Sequence, residues 1–322
     1  VLPFLIRRLG QAFLVVLTVG LLSFLMFRFV GDPVVSMSRE DATVAEREAL
    51  RESLGLNDPV PVQFATFIGR AVQGDFGISY RNQRPVSDLI AERLPATLEL
   101  VFAATVLALA IGIPLGVVTA LRPRGALSNI VQGVSLVGVS TPTFVTGIML
   151  ILLFAVTLRW LPSFGRGETV DLGWWSTGFL SASGWRAIFL PALTLALFQM
   201  TLIMRLVRAE MIEILQSDYI RFARARGLPD RSIHYRLALK NALMPVLTIT
   251  GMQIGGLIAF AIVTESVFQW PGMGLLFIQA VQFVDVPVMA AYLMFVGLVF
   301  VALNAAVDVT YALVDPRLRV RG

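Results

Sequence analysis

The chain has 322 residues, 57% of them apolar and only 15% charged, with a mean hydropathy of +0.78. Soluble domains carry about 25% charged residues, so the balance excludes an ordinary soluble enzyme and reads as an all-α, polytopic membrane protein. No cysteine is present, which rules out disulfides and thiolate metal sites. The net charge of +5 reads as arginines held on one side of a bilayer, with membrane lipid and not nucleic acid as the surface they meet.

A spanning helix needs about 20 mostly apolar residues, and six stretches qualify, at roughly 9–30, 96–121, 130–158, 187–206, 243–268 and 286–314. The first follows Arg7-Arg8, like a signal peptide. Its apolar run is too long for one and no small-x-small pattern follows, so a retained span is expected. The chain divides accordingly into a cytoplasmic start with the first span (1–30), an extracytoplasmic insertion (31–95) and a five-span core (96–322), with a cytoplasmic loop at about 206–244.

The insertion carries seven arginines against ten acids. Thr43 and Glu46 stand at capping-box spacing, opening a short helix that Gly55 ends in a left-handed turn. Asp58-Pro59 starts a second short element through Phe64 and Phe67, and Gly74-Asp-Phe-Gly77 is a turn cluster. Two readings stand side by side: a cap packed on the spans, or a docking surface for an extracytoplasmic partner.

Orientation follows from the short loops. Arg7, Arg8, Arg122, Arg124, the eight basic residues between Arg205 and Lys240, and Arg317, Arg319 and Arg321 fall on one side; Arg159, Arg166 and Arg186 fall on the other. The positive-inside rule places both termini on the cytoplasmic side.

Charged residues within spans often mark ion pathways. Here they are Arg28, Glu99, Glu265 and Asp308, all read as lying toward span ends. Glu99 is expected in the first turn of its span, after Pro95, where a carboxylate suits the helix dipole. An ion-coupled secondary transporter is the rival reading, but no inverted repeat of broken helices supports it. Translocation-path candidates are Ser140, Thr141 and Pro142, which break the third span and expose hydroxyls. Gln199 and Gln253, the latter beside Gly255-Gly256, join them. Helix-packing glue is the competing role for all of these.

Enzymatic work has no support. The chain has no phosphate loop, no nucleophile elbow and a single histidine, His234, so no metal-ligand spacing and no cofactor site are expected.

The loop is the most readable segment. Asp218 is expected to N-cap a helix from Tyr219 to Arg226, Gly227 to end it with a positive φ, and Pro229 to open a second helix with Asp230 favouring its dipole. On that helix Ile233, Leu237 and Lys240 share one face and Tyr235, Leu239 and Leu243 another. A basic pair of this kind either lies on anionic lipid or receives a soluble partner.

Asp218-Tyr-Ile-Arg-Phe-Ala-Arg-Ala-Arg-Gly-Leu228, followed by Ala242-Leu-Met-Pro245, resembles the EAA loop of ABC importer permeases, in the form found in the dipeptide/oligopeptide/nickel family. Gly31-Asp-Pro33, Leu54-Gly-Leu-Asn-Asp-Pro59, Gly74-Asp-Phe-Gly-Ile-Ser79 and Arg93-Leu-Pro-Ala-Thr-Leu-Glu-Leu100 fit the same family in order. Ser140-Thr-Pro-Thr-Phe144, Glu265-Ser-Val-Phe268 with Pro271-Gly-Met-Gly274, and Asp315-Pro-Arg317 continue the match. One departure is Arg221-Phe222-Ala223 where the general pattern has Glu-Ala-Ala, so no salt bridge from that glutamate is carried over.

The resemblance implies a six-span type I importer fold and the first, B-type permease of a heteromeric complex. Its partners would be a second permease, two ATPases that carry ATP and magnesium, and an extracytoplasmic binding protein. The coupling surface would comprise Tyr219, Arg221, Phe222, Ala223, Arg224, Ala225, Arg226, Gly227 and Leu228. Glu265 and Phe268 would shape the outer mouth of the path. Short peptides are the expected cargo, with nickel chelates, glutathione or opines as the family's other substrates.

Overall fold

A computed structural model describes residues 2–29, 34, 43–53 and 55–314. Gly31-Asp-Pro33, Leu54 and Asp315-Pro-Arg317 lie outside the described residues, as do the side chains of Arg7, Arg8, Arg28 and Asp308. The helices are α1 (Leu2–Phe29), α2 (Val44–Ser53), α3 (Val60–Val72), α4 (Val86–Leu121), α5 (Ala126–Ser140) and α6 (Thr143–Leu150). They continue with α7 (Ala182–Gln216), α8 (Asp218–Ala225), α9 (Leu239–Val267), α10 (Met273–Gln282) and α11 (Val286–Val314). The two-residue strands β1 (Val170–Asp171) and β2 (Ser176–Thr177) pair antiparallel.

Helices stand at all six expected spans. Among the described residues four are long and apolar enough to cross a membrane alone: Val86–Leu121, Ala182–Gln216, Ser232–Val267 and Val286–Leu303. The third span is broken, as Pro142 requires. Its two halves are α5 and α6, and α6 runs on into a π-helical turn at Ile151–Thr157 whose bonds reach five residues back.

By backbone proximity the chain forms two compact units. The first holds Val1–Pro95, Gly173–Trp175 and Pro271–Gly322. In it α1 packs on α11 through small residues, with Ser23 donating to the Ala290 carbonyl at 3.4 Å and Val19 lying against Gly297. Phe64 and Phe67 of α3 close on Phe24 of α1. A second apolar core gathers Val86, Leu89, Leu276, Val288 and Met289. The capping box forms as expected: the Thr43 N–H donates to Glu46 Oε2 at 2.7 Å and the Glu46 N–H to Thr43 Oγ1 at 3.3 Å. The Thr43 N–H, joined by the Thr43 hydroxyl donating to the same Oε2 at 2.9 Å, holds the Glu46 carboxyl below its ordinary range.

The second unit holds Ala96–Leu172 and Ser176–Trp270. In it α7 packs along α9 and approaches α4 closely. A Cβ on Gly112 would stand 2.9 Å from the Met200 carbonyl, and one on Gly116 would stand 2.8 Å from the Met204 carbonyl. Only glycine at this four-residue spacing lets the two backbones meet.

Candidate coupling surface and translocation path

The loop begins where α7 ends. Ser217 is extended (φ −67°, ψ 154°) and occupies the N-cap position of α8, so Asp218 is the first helical residue and not the cap. The reason is local: the Ser217 carbonyl takes the Ile220 and Arg221 N–H groups, and its hydroxyl donates back to Ile214. The Asp218 carboxylate instead meets Arg221 at 3.1 Å in full solvent, a pair worth little. Gly227 has φ +75° and closes α8 in a Schellman turn, its N–H bonding Arg224 O while the Leu228 N–H bonds Ala223 O.

Alpha-helical spacing divides α8 into two faces. Ile220 and Ala223 turn inward and pack with Ile233, Ile214, Leu215 and Leu237. Of the nine residues expected at the coupling surface, Ala223 is thus buried beneath it. Tyr219, Arg221, Phe222, Arg224, Ala225, Arg226, Gly227 and Leu228 are exposed. Phe222 is 64% exposed, with the Arg226 guanidinium 5.7 Å from its ring centre. A large aromatic left in water beside arginines, on an apolar foundation, is the composition of an interface core. The second helix does not stand apart: it continues without a break into α9, and Ser232–Ala238 is wound as a π-helix. That winding shifts the register, so Lys240 is exposed although Ile233 is buried.

The path candidates separate. Ser140 and Pro142 are exposed, and Thr141 is half-buried on the wall of a cleft of about 540 Å³. Leu115, Val131, Met149, Met200 and Thr201 also line it, which makes it strongly apolar. Gln253 is half-buried on α9. Gln199 is 2% exposed, away from the cleft, and its amide has no hydrogen-bond partner among the described residues. Glu265 and Phe268 do not line open space in this unit. Glu265 is wholly buried and accepts from Thr97 Oγ1 at 2.6 Å. Phe268 packs on Gly147, and its carbonyl takes the Gly165 N–H at 3.0 Å. Trp270 locks the same turn by donating to the Ala96 carbonyl at 2.9 Å. These residues act through the backbone they fix.

Glu99 corrects a sequence expectation. Helix α4 begins at Val86, so Glu99 lies far inside it and a terminal dipole does not hold it. Arg166 does. Its Nη2 donates to Glu99 Oε2 at 2.7 Å and to Ser176 O at 2.6 Å, with both side chains buried. The pair ties the β1–β2 hairpin to α4. A lone carboxylate inside a span needs a counter-charge, and Arg166 was available among the few basic residues of the short opposite loops. A second missed residue is Asp285, 1% exposed, which accepts from the Ser79 hydroxyl and from the Tyr80 and Arg81 N–H groups at 3.0 and 3.3 Å. It thereby anchors the end of the Gly74–Ser79 motif.

A bundle of spans with a broken helix beside an apolar cleft, and an aromatic–arginine surface on a loop between two spans, defines a transport permease. Residues 112–320 match the binding-protein-dependent transport system inner membrane component family, and residues 1–101 match its N-terminal companion. The chain belongs to this family: it is a multi-pass inner-membrane permease component, without catalytic chemistry of its own. It is 38% identical over 317 residues to the oligopeptide transport system permease protein AppB of Bacillus subtilis, covering 98% of each chain. DdpB of Escherichia coli, named for a D,D-dipeptide transport system, is 38% identical over 319 residues, covering 95% of this chain and 94% of that one. The inward-facing MetNI methionine ABC transporter shares the fold, with a TM-score of 0.55 at 20% identity over 70% of this chain and 96% of that one.

Proposed function

We propose that this chain is one of two permeases of an ATP-driven, binding-protein-dependent importer of short peptides. The exposed Tyr219–Phe222–Leu228 surface, set among arginines and founded on buried Ile220 and Ala223, carries this reading. A helix packed this way transmits a push from an ATPase groove into the spans. Two ATPases hold ATP and magnesium, a second permease completes the path, and a binding protein delivers cargo on the opposite side. The arginine-rich loops and both termini face the cytoplasm. The peptide cargo is the one named for the relatives AppB and DdpB.

The test is uptake of labelled di- and tetrapeptides into proteoliposomes holding the transporter with its co-purified subunits. Uptake that requires ATP on the loop side and is indifferent to ionophores is expected. Uptake that follows an ion gradient without ATP would return the chain to the secondary transporters.

A further inference from the structure

Helix α4 ends at Leu121 and is followed by Arg122-Pro123. Proline has no N–H, so the Thr119 carbonyl lacks the donor four residues on that a helix would supply. Arg208 of α7 supplies it, with Nε 3.4 Å from Thr119 O. Its Nη1 donates to Gln132 Oε1 of α5 at 2.7 Å. The Gln132 amide is oriented for this, because its Nε2 donates to the Ser128 carbonyl and hydroxyl at 3.2 and 3.1 Å. The guanidinium also sits at the negative end of the α4 dipole. One side chain therefore joins three helices.

The three are not held alike. The Gly112 and Gly116 contacts bring the backbones of α4 and α7 together with no room for a side chain between them. Helix α5 touches α7 directly, walls the opposite side of the cleft and ends at the Ser140–Pro142 break. The cleft opens one turn from the tie: Leu115 precedes Thr119 by four residues, Met204 precedes Arg208 by four, and Val131 adjoins Gln132. In the other direction α7 runs directly into Ser217 and α8.

From this geometry we infer that Arg208 is a positioning residue that carries movement of the loop into α5 and shuts the loop-side end of the cleft, an inference that rests on the importer reading. A push on α8 shifts α7 and α4 together. The Arg208–Gln132 bond then drags α5 about the Pro142 break.

The chain has no cysteine, so Ser135→Cys, on the cleft wall, is a clean reporter of access. In the reconstituted transporter, Gln132→Leu removes the acceptor and Gln132→Glu keeps it. For Gln132→Leu the expected result is uptake per ATP lowered about tenfold, the scale of one lost charge-assisted bond, while ATP hydrolysis continues. Maleimide labelling of Ser135→Cys becomes fast and no longer responds to nucleotide, and Gln132→Glu restores both. Arg208→Lys, which lacks the fork to hold two acceptors at once, falls between. Wild-type coupling and nucleotide-dependent labelling in Gln132→Leu overturn the inference. Should Gln132→Leu fail to assemble, wild-type coupling in Arg208→Lys overturns it equally. A wild-type transporter without ATP-driven uptake defeats the importer reading instead, and the tie is then decided by labelling alone.

Discussion

Removing the Glu99 carboxylate tests the buried pair that fastens the β1–β2 hairpin. In Glu99→Leu the Arg166 cation stays 8% exposed but keeps only Ser176 O and Oγ, the latter at 3.1 Å. Stripping one partner from a buried ion pair costs about 3–5 kcal/mol, and the surviving Ser176 bonds put this case near 3. For a chain of this size that is a drop of roughly 4–5 °C in melting temperature. Arg166→Met is expected to cost a similar amount, since Glu99 then keeps only the Gly178 N–H at 3.3 Å. The double variant Glu99→Leu/Arg166→Met carries no stranded charge and melts above either single variant. Tryptophan fluorescence of the purified permease during a thermal ramp reads all three. Singles within about 1 °C of wild type, or a double variant below both, would refute a buried pair that depends on mutual neutralisation.

Other perturbations address separate features. A Cβ at Gly227 meets nothing within 4 Å, so Gly227→Trp leaves membrane insertion intact while blocking ATPase docking, and Gly227→Asn, which tolerates φ > 0 without bulk, retains uptake; equal uptake by both contradicts the docking surface. Val284 is a β-branched residue at φ +52° and 44% exposed. Relief of about 1–2 kcal/mol of strain, less about 0.5–1 kcal/mol for glycine's freedom in the unfolded chain, predicts a higher melting point for Val284→Gly; a lower one contradicts it. Because its bonds to Thr43 lower the Glu46 pKa, the cap contributes fully above the ordinary glutamate range and is lost as pH falls through the lowered value. Amide-exchange protection of Val44–Ser53 should follow that course and vanish in Thr43→Ala, whereas protection that persists once Glu46 is protonated counts against the capping box.

Much of the fold was legible because hydropathy, proline and glycine act locally. The break at Pro142, the cap at Thr43 and the turns at Gly55 (φ +67°) and Gly227 all formed where short-range chemistry demands them. What escaped was long-range. Arg166 lies 67 residues from Glu99 and Asp285 lies 206 from Ser79, and no local pattern announces either bond. The start of α4 was misplaced because Pro95 looks like a helix opener, yet it is carried inside a helix that began at Val86. The π-helical turn at Ser232–Ala238 was invisible to a 3.6-residue period, so the loop's second helix was separated from a span it continues. For the same reason the exposed face of the loop was legible in sequence apart from Ala223, while the polar path residues could not be sorted into lining and buried.

The central claim is that this permease works only as part of an ATP-driven assembly. Extraction of the chain from its native membrane in mild detergent, followed by mass spectrometry of what accompanies it, tests that claim most directly. Co-purification of Walker-motif ATPases and a second six-span permease, lost on Gly227→Trp, is the predicted result. Repeated recovery of the folded chain alone would contradict it.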